Sequence, residues 1–167
     1  MDFEKFIGAA AEQVKHGAFL VTGQEANPMT IGWCLWGRVW ERPVCTVFVR
    51  KSRYSHELIE GGKFTVSVPA PGTFKKELAF CGSRSGRDTD KLKDMGMARL
   101  KLSDEGIDGI EGCAVHFECK VLFKCEMGLK NLNSKIRDRF YGPDETVPGK
   151  DPHTIYFGEI VAVHSGQ

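Results

Sequence analysis

The stretch CAVHFECKVLFKCEM, residues 113–127, alternates: Cys113, Val115, Phe117, Cys119, Val121, Phe123, Cys125 and Met127 fall on one side, with mostly polar residues between them. A two-residue period predicts a β-strand with one buried face. On that reading His116 lies on the polar, solvated side. Working outward, AFLVTG (18–23), MTIGWCLWG (29–37), KFTVSVP (63–69), MARLKLS (97–103) and TIYFGEIVAVH (154–164) also read as strands. VCTVFV (44–49) is almost continuously apolar, the pattern of a strand buried on both faces. In 29–37 the small residues Gly32, Cys34 and Gly37 interrupt bulky ones, and glycine inside a strand often marks a bulge or a close approach. The strands are separated by turns such as EANP (25–28), ERP (41–43) and DEGIDG (104–109) rather than by long crossover helices. About seven strands so connected predict a mostly antiparallel sheet, closed or partly closed into a barrel.

Helices are expected at the periphery. Residues 2–16 place Phe3, Phe6, Ile7, Ala10 and Val14 at helical spacing, with Asp2 able to cap. Shorter helical patterns cover 53–60, 73–81, 89–96 and 131–140. No repeat or linker divides the chain, so residues 1–167 read as a single domain.

Composition narrows the function. Of 167 residues, 41% are hydrophobic and 27% charged, ordinary values for a globular protein. No run approaches the roughly 20 apolar residues of a membrane span. The start, MDFEKFIGAAAEQVKH, is amphipathic and acidic rather than a secretory leader, and a cytoplasmic protein is the expectation. Net charge is +1, unevenly spread: residues 50–101 carry 12 basic and 6 acidic side chains, whereas 102–167 carry 7 basic and 11 acidic. A local basic region in a neutral chain disfavours nucleic acid and fits a small anionic ligand. The six cysteines form no C-x-x-C pair. Cys113, Cys119 and Cys125 are six residues apart in one strand pattern, about 20 Å each. Buried reduced thiols are expected, and no metal.

Three segments carry ligand chemistry. VRKSRYSHELI (49–59) sets Arg50, Lys51 and Arg53 in a strand-to-helix turn, with Ser52 or Ser55 as helix N-cap. Exposed N–H groups at a helix start, hydroxyls and cations together suit a phosphate, with Arg as a fork and Lys as a point charge. The alternative is a solvated cationic turn. FCGSRSGRDTDKL (80–92) is a second Gly/Ser-rich loop with Arg84 and Arg87, lacking both the P-loop and the dinucleotide-fold spacing. NPMTIGWCLWG (27–37) sets Asn27 and Thr30 beside Met29, Gly32 and Trp33, a wall suited to a flat heteroaromatic ring or simply to a buried strand.

Taken together, NPMTIGW (27–33), FVRKSRYSHELI (48–59), KFTVSVP (63–69), FCGSRSGRDTDK (80–91) and GEIVAVH (158–164) resemble, in order and spacing, the flavin reductase-like, FMN-binding split-barrel family, in particular its flavoredoxin-like branch. The likeness covers most of 15–165. It implies a mainly β fold, a six-stranded antiparallel Greek-key split barrel with peripheral short helices. It also implies a homodimer with FMN near the subunit interface. By that resemblance Arg50, Lys51, Ser52, Arg53 and Ser55 would contact phosphate and ribityl. Asn27, Met29, Thr30, Gly32 and Trp33 would flank the isoalloxazine. Cys81, Gly82, Ser83 and Ser85 would approach ring or ribityl, with Asp90 and Lys91 further out. His153 and Tyr156 would be candidates for the ring edge, from either subunit. No side chain is expected to act as catalytic acid, base or nucleophile, because the flavin carries the chemistry. Two electron routes stay open: between NAD(P)H and flavin or a small acceptor, or through an FMN carrier serving a redox protein partner. A non-redox phosphate-binding module is the third reading.

Overall fold

Alternating strands with one apolar face bury it by curling around one another. The computed structural model describes residues 3–142, 146–147 and 149–166. Its main sheet contains β1 (Ala18–Thr22), β2 (Asn27–Ile31), β3 (Cys34–Val39), β4 (Arg42–Arg50), β5 (Lys63–Val68), β8 (Val115–Glu126) and β9 (His153–Ser165). The order is β2-β1-β5-β8-β9-β4-β3, every pairing antiparallel. The short strands β6 (Arg99–Leu100) and β7 (Gly109–Ile110) form a separate pair. The two edge strands, β2 and β3, are consecutive in the chain with only Gly32 and Trp33 between them. The sheet therefore curls until its edges are two residues apart without pairing, an antiparallel split barrel.

The resemblance implied six barrel strands, and the main sheet has seven because MTIGWCLWG is not one strand. It breaks at Gly32–Trp33, and the halves pair with different neighbours, β1 and β4. Nothing in the apolar pattern marks that break. β4 leads through α2 (Tyr54–Leu58) to β5, which pairs with β1 rather than β4. This Greek-key crossing carries the basic turn over one end of the barrel. The other helices are α1 (Glu4–Val14), α3 (Lys75–Ser83), α4 (Lys91–Met95) and α5 (Ser134–Phe140). Asp2, the expected cap of the first helix, lies outside the described residues; Phe3 precedes α1 without a side-chain cap. Of MARLKLS only Arg99–Leu100 is strand.

The barrel interior is filled by residues such as Leu20, Val47, Phe64, Phe117 and Tyr156. A second cluster (Phe19, Val21, Ala26, Leu78, Cys81, Ile107, Ile110 and Cys113) packs outside the barrel under α3. β1 is buried on both faces because it feeds both. The same outer cover corrects the expectation for His116. It is fully buried, its Nδ1 2.9 Å from the Ser67 hydroxyl, and Glu118 beside it accepts from Ser103 at 2.5 Å. Alternation reports which face is apolar, not whether the polar face is covered. Beyond the β8 irregularities at Glu118/Cys119 and Val121/Phe123, the strand emerges, and Phe123 is 47% exposed. All six cysteines are free, and Cys34 and Cys45 bring their sulfurs to 3.4 Å in the barrel core. Among the described residues no His, Cys, Asp and Glu group is arranged for a metal, and no helix is long and apolar enough to cross a membrane.

Candidate functional site

β4 ends at Arg50, and the chain turns through Lys51, Ser52 and Arg53 into α2. Arg53, not a serine, occupies the cap position, in extended conformation and without a side-chain cap bond. Its guanidinium crosses instead to the C-terminal end of α3, donating to Gly82 O at 2.8 Å and Cys81 O at 3.2 Å. The first residue of α4, Lys91, reaches the same place. Its ammonium donates to Pro28 O at 2.8 Å and Cys81 O at 3.2 Å, and the residue is 4% exposed. The negative end of the α3 dipole suits these cations. Neither has a carboxylate within ion-pairing distance among the described residues. Burial, with Arg53 nearby, pushes Lys91 down to about 8. Burial and Arg50 lower Arg53.

Around this pair lies a cavity of about 110 Å³ lined by Ser52, Arg53, Ser55, Ser83, Ser85 and Lys91, together with Asn27, Met29, Tyr54, Arg84 and Gly86. Asn27 Nδ2 donates to Ser55 Oγ at 3.1 Å. Gly86 lets the 84–88 loop close on this wall: a Cβ there would lie 2.1 Å from Asn27 Oδ1. Sharing Met29 and Arg53 with it is a second cavity of about 230 Å³, bordered by Thr30, Gly32, Trp33, Phe48, Arg50 and His153. Trp33, 39% exposed, packs edge-on against Phe48 and Phe140, its centroid 4.9 Å from the His153 ring. His153 is buried, with Nδ1 2.8 Å from the Tyr141 hydroxyl, and burial with Arg50 pushes it down to about 4. It is neutral at pH 7.

The expected residues thus separate. Asn27, Met29, Ser52, Arg53, Ser55, Ser83, Ser85 and Lys91 meet at the smaller cavity, and Met29, Thr30, Gly32, Trp33, Arg50, Arg53 and His153 at the larger. Arg50 faces the ring-sized cavity rather than the hydroxyl-lined one. Its donors serve the Asp151 and Phe140 carbonyls, and it lies over the Tyr141 ring at 5.0 Å. Lys51 lines neither, because its ammonium pairs with Glu126 at 2.6 Å. Ser52 does not cap α2; its N–H and hydroxyl both donate to the Asp151 carboxylate at 2.8 Å.

Cys81 contributes its carbonyl, not its thiol. The sulfur is buried in the second core, and burial pushes it up to about 11. Gly82 likewise acts through its carbonyl and packs against Thr30, whose hydroxyl is held by Leu78 O at 2.6 Å. Asp90 caps α4, accepting from Lys93 N at 3.1 Å. Tyr156 sits in the barrel core with its hydroxyl on Glu60 at 3.1 Å and lines neither cavity. The sequence reading missed Tyr54, Gly86 and Phe48 as lining residues. All three lie within its quoted segments, and only the approach of distant elements singles them out.

Residues 11–167 match the family model described as Flavin reductase like domain. Over 121 residues the chain is 31% identical to the uncharacterized protein YddH of Escherichia coli (strain K12), covering 68% of this chain and 63% of that protein's length. Its fold is similar to flavoredoxin from Methanosarcina acetivorans, with a TM-score of 0.66 and 25% identity over 90% of this chain and 68% of that one. It is also similar to an FMN-binding protein from Thermus thermophilus, solved with 1-cyclohex-2-enone bound, with a TM-score of 0.66 and 22% identity over 89% and 69% of the two chains. That second likeness speaks for the fold alone. With a family match spanning nearly the whole chain and the split-barrel topology to go with it, the chain belongs to the flavin reductase-like domain family.

Proposed function

We propose that this chain is an FMN-binding flavoprotein that moves electrons between NAD(P)H and flavin or a small acceptor. The observation that carries this reading is the junction of two unlike cavities at Arg53 and Met29, one rich in hydroxyls and cations, the other walled by aromatic and apolar groups. Together they reach the lower end of the roughly 300–1,000 Å³ typical of ligand clefts. The phosphate belongs with Arg53, Lys91 and the hydroxyls of Ser55 and Ser85, since the Ser52 hydroxyl donates to Asp151 and the Ser83 hydroxyl to Ala79 O. A buried ammonium and a half-buried guanidinium held only by carbonyls are costly, and a bound anion would offset that cost. The ring belongs between Met29 and Trp33, with Gly32 leaving room. A bound flavin supplies hydride and single-electron transfer at its ring. The protein's part is to hold, orient and shield it. His153, neutral at pH 7, adds no charge at the ring edge.

A homodimer completes this reading. Leu35, Trp40, Phe123 and Val161 are 62%, 55%, 47% and 53% exposed, and the Trp40, Phe123 and Phe157 rings cluster within 5.7–6.1 Å. Phe157 pairs with Thr46 of β4, and Phe48 stands two residues along from Thr46, next to Trp33. An apolar face of this kind on a monomer usually marks an interface, and here it runs to the mouth of the ring-sized cavity.

The likeness to flavoredoxin supports a second reading, an FMN carrier that exchanges electrons with a protein partner. The visible spectrum of the purified protein, before and after anaerobic NADH and then NADPH, separates the two. A flavin spectrum bleached by either nucleotide supports the reductase, and one that persists supports the carrier. Absence of flavin, with no binding of added FMN, overturns both.

A further inference from the structure

Cys34 opens β3 directly after Trp33, and Cys45 lies within β4. Their sulfurs stand 3.4 Å apart inside the barrel. The pair is diagonal in the sheet, since Cys34 lies opposite Val47 and Cys45 opposite Trp36. Diagonal neighbours start farther apart than directly opposed ones. A disulfide holds its sulfurs at about 2.05 Å, so the two must close by roughly 1.4 Å and the backbone must move with them. β3 can supply that movement. It is an edge strand bonded only to β4, whereas β4 is held between β3 and β9. The end of β3 that must move is continuous with Gly32 and Trp33, which wall the ring-sized cavity. Cys34 is also the more reachable thiol, 9% exposed at the unpaired split of the barrel, against 0% for Cys45. Cys119 neighbours Cys45 in the same core, but it sits on β8, which is fixed on both sides by β5 and β9.

We propose that Cys34 and Cys45 form a peroxide-responsive pair, whose disulfide draws β3 against β4, displaces Trp33 and lowers flavin affinity. The effect on flavin rests on the flavin reading above; formation of the bond does not. The oxidant is hydrogen peroxide, which a reduced flavin yields with dioxygen. Attack of the Cys34 sulfur on a peroxide oxygen breaks the O–O bond, leaves a sulfenic acid and releases water. Attack of the Cys45 sulfur on Cys34 Sγ then forms the S–S bond, breaks the S–O bond and releases a second water. The two thiols give up two electrons, peroxide takes them, and both thiol protons leave in the waters. Peroxide made at the ring cavity thereby closes that cavity to flavin.

The test starts from chain reduced with dithiothreitol and then freed of it. This is treated with hydrogen peroxide, alkylated under denaturing conditions and mapped by peptide mass spectrometry, with FMN titrations before and after oxidation. A Cys34–Cys45 linked peptide pair is expected, with the FMN dissociation constant raised roughly tenfold, about one lost contact. Renewed dithiothreitol should reverse both. Cys34→Ala and Cys45→Ala should bind FMN like the reduced native chain and keep that affinity in peroxide. The native-chain readings decide the case even where an alanine variant fails to fold. Absence of a link, a Cys45–Cys119 link instead, or the expected link with FMN affinity unchanged each overturns the inference and leaves the flavin reading standing. Peroxide that weakens FMN binding equally in folded alanine variants traces the effect to another oxidation and overturns it too. A reduced native chain with no affinity for FMN overturns the flavin reading, and the switch with it, whatever the peptides show.

Discussion

Arg53 and Lys91 share one acceptor: both donate to the carbonyl oxygen of Cys81, each at 3.2 Å. One comes from the turn after β4 and the other from the start of α4, and they converge on the C-terminal end of α3. A buried cation and a half-buried one meeting on a single carbonyl make a centre of positive charge that a bound phosphate would neutralise.

Replacing Arg53 should therefore matter where replacing Lys51 does not. Arg53→Ala together with Ser55→Ala removes contacts worth about 1.5–3 kcal/mol for each charge-assisted bond, roughly ten- to hundredfold in affinity per bond. Lys51→Ala, whose ammonium is spent on exposed Glu126, should leave the FMN dissociation constant unchanged within about twofold. Equal effects from the two variants would sink the assignment.

On the proposed flavin reading, Lys91 should make FMN binding depend on pH. Its folded value of about 8 lies below its ordinary 10.5. Between pH 8 and 10.5 the unfolded chain therefore binds more protons, and ligand-free stability rises with pH across that window as the cost of burying the charge is relieved. The charge lost is the one assigned to the phosphate in the proposed flavin site, so FMN affinity should fall as pH rises through 8. Titrations from pH 7 to 9.5 should show this decline, and Lys91→Arg should flatten it.

His116 and His153 are both pushed down to about 4, chiefly by burial, from an ordinary 6.5. The unfolded chain takes up protons between pH 6.5 and 4 that the folded chain refuses, so stability falls on acidification through that range. Each histidine accounts for a loss on the order of 3 kcal/mol. Urea denaturation at pH 6.5 and 4.5 should show a smaller difference in the double variant His116→Gln, His153→Gln than in the native chain.

Gly158 of β9 is a packing test. A Cβ there would stand 2.5 Å from Phe64 Cζ and 3.0 Å from Cys119 Cβ, within the barrel core. Gly158→Ala should cost about 1–3 kcal/mol through overpacking, read as a lower thermal midpoint.

The exposed aromatic face predicts a dimer. Phe123→Asp puts a charge among Trp40 and Phe157 without touching the barrel interior. Light scattering should show a dimer for the native chain and a monomer for the variant. A native monomer at micromolar concentration would end the dimer proposal.

Much of this protein is legible in its residues. The period-two run through Val115, Phe117 and Cys119 determines a long strand with an apolar face, and the continuous apolar character of 44–49 determines one buried on both sides. Local residue types also mark the turns that line the hydroxyl-rich cavity, because glycine, hydroxyl and cation lie close together in the chain there. Tertiary structure decided what such patterns cannot carry. It broke 29–37 at Gly32–Trp33, since strand partners and not apolarity end a strand. It buried His116, since the segment just before β8 folds back on that face with Gly109 against the imidazole, a cover that the period of the strand does not report. Of the clustered cations it turned Lys51 out to Glu126 and tied Arg50 to carbonyls, and it brought in Lys91 from another helix. A charge run states that cations are near one another in the chain; only the folded neighbours determine which of them an anion would meet.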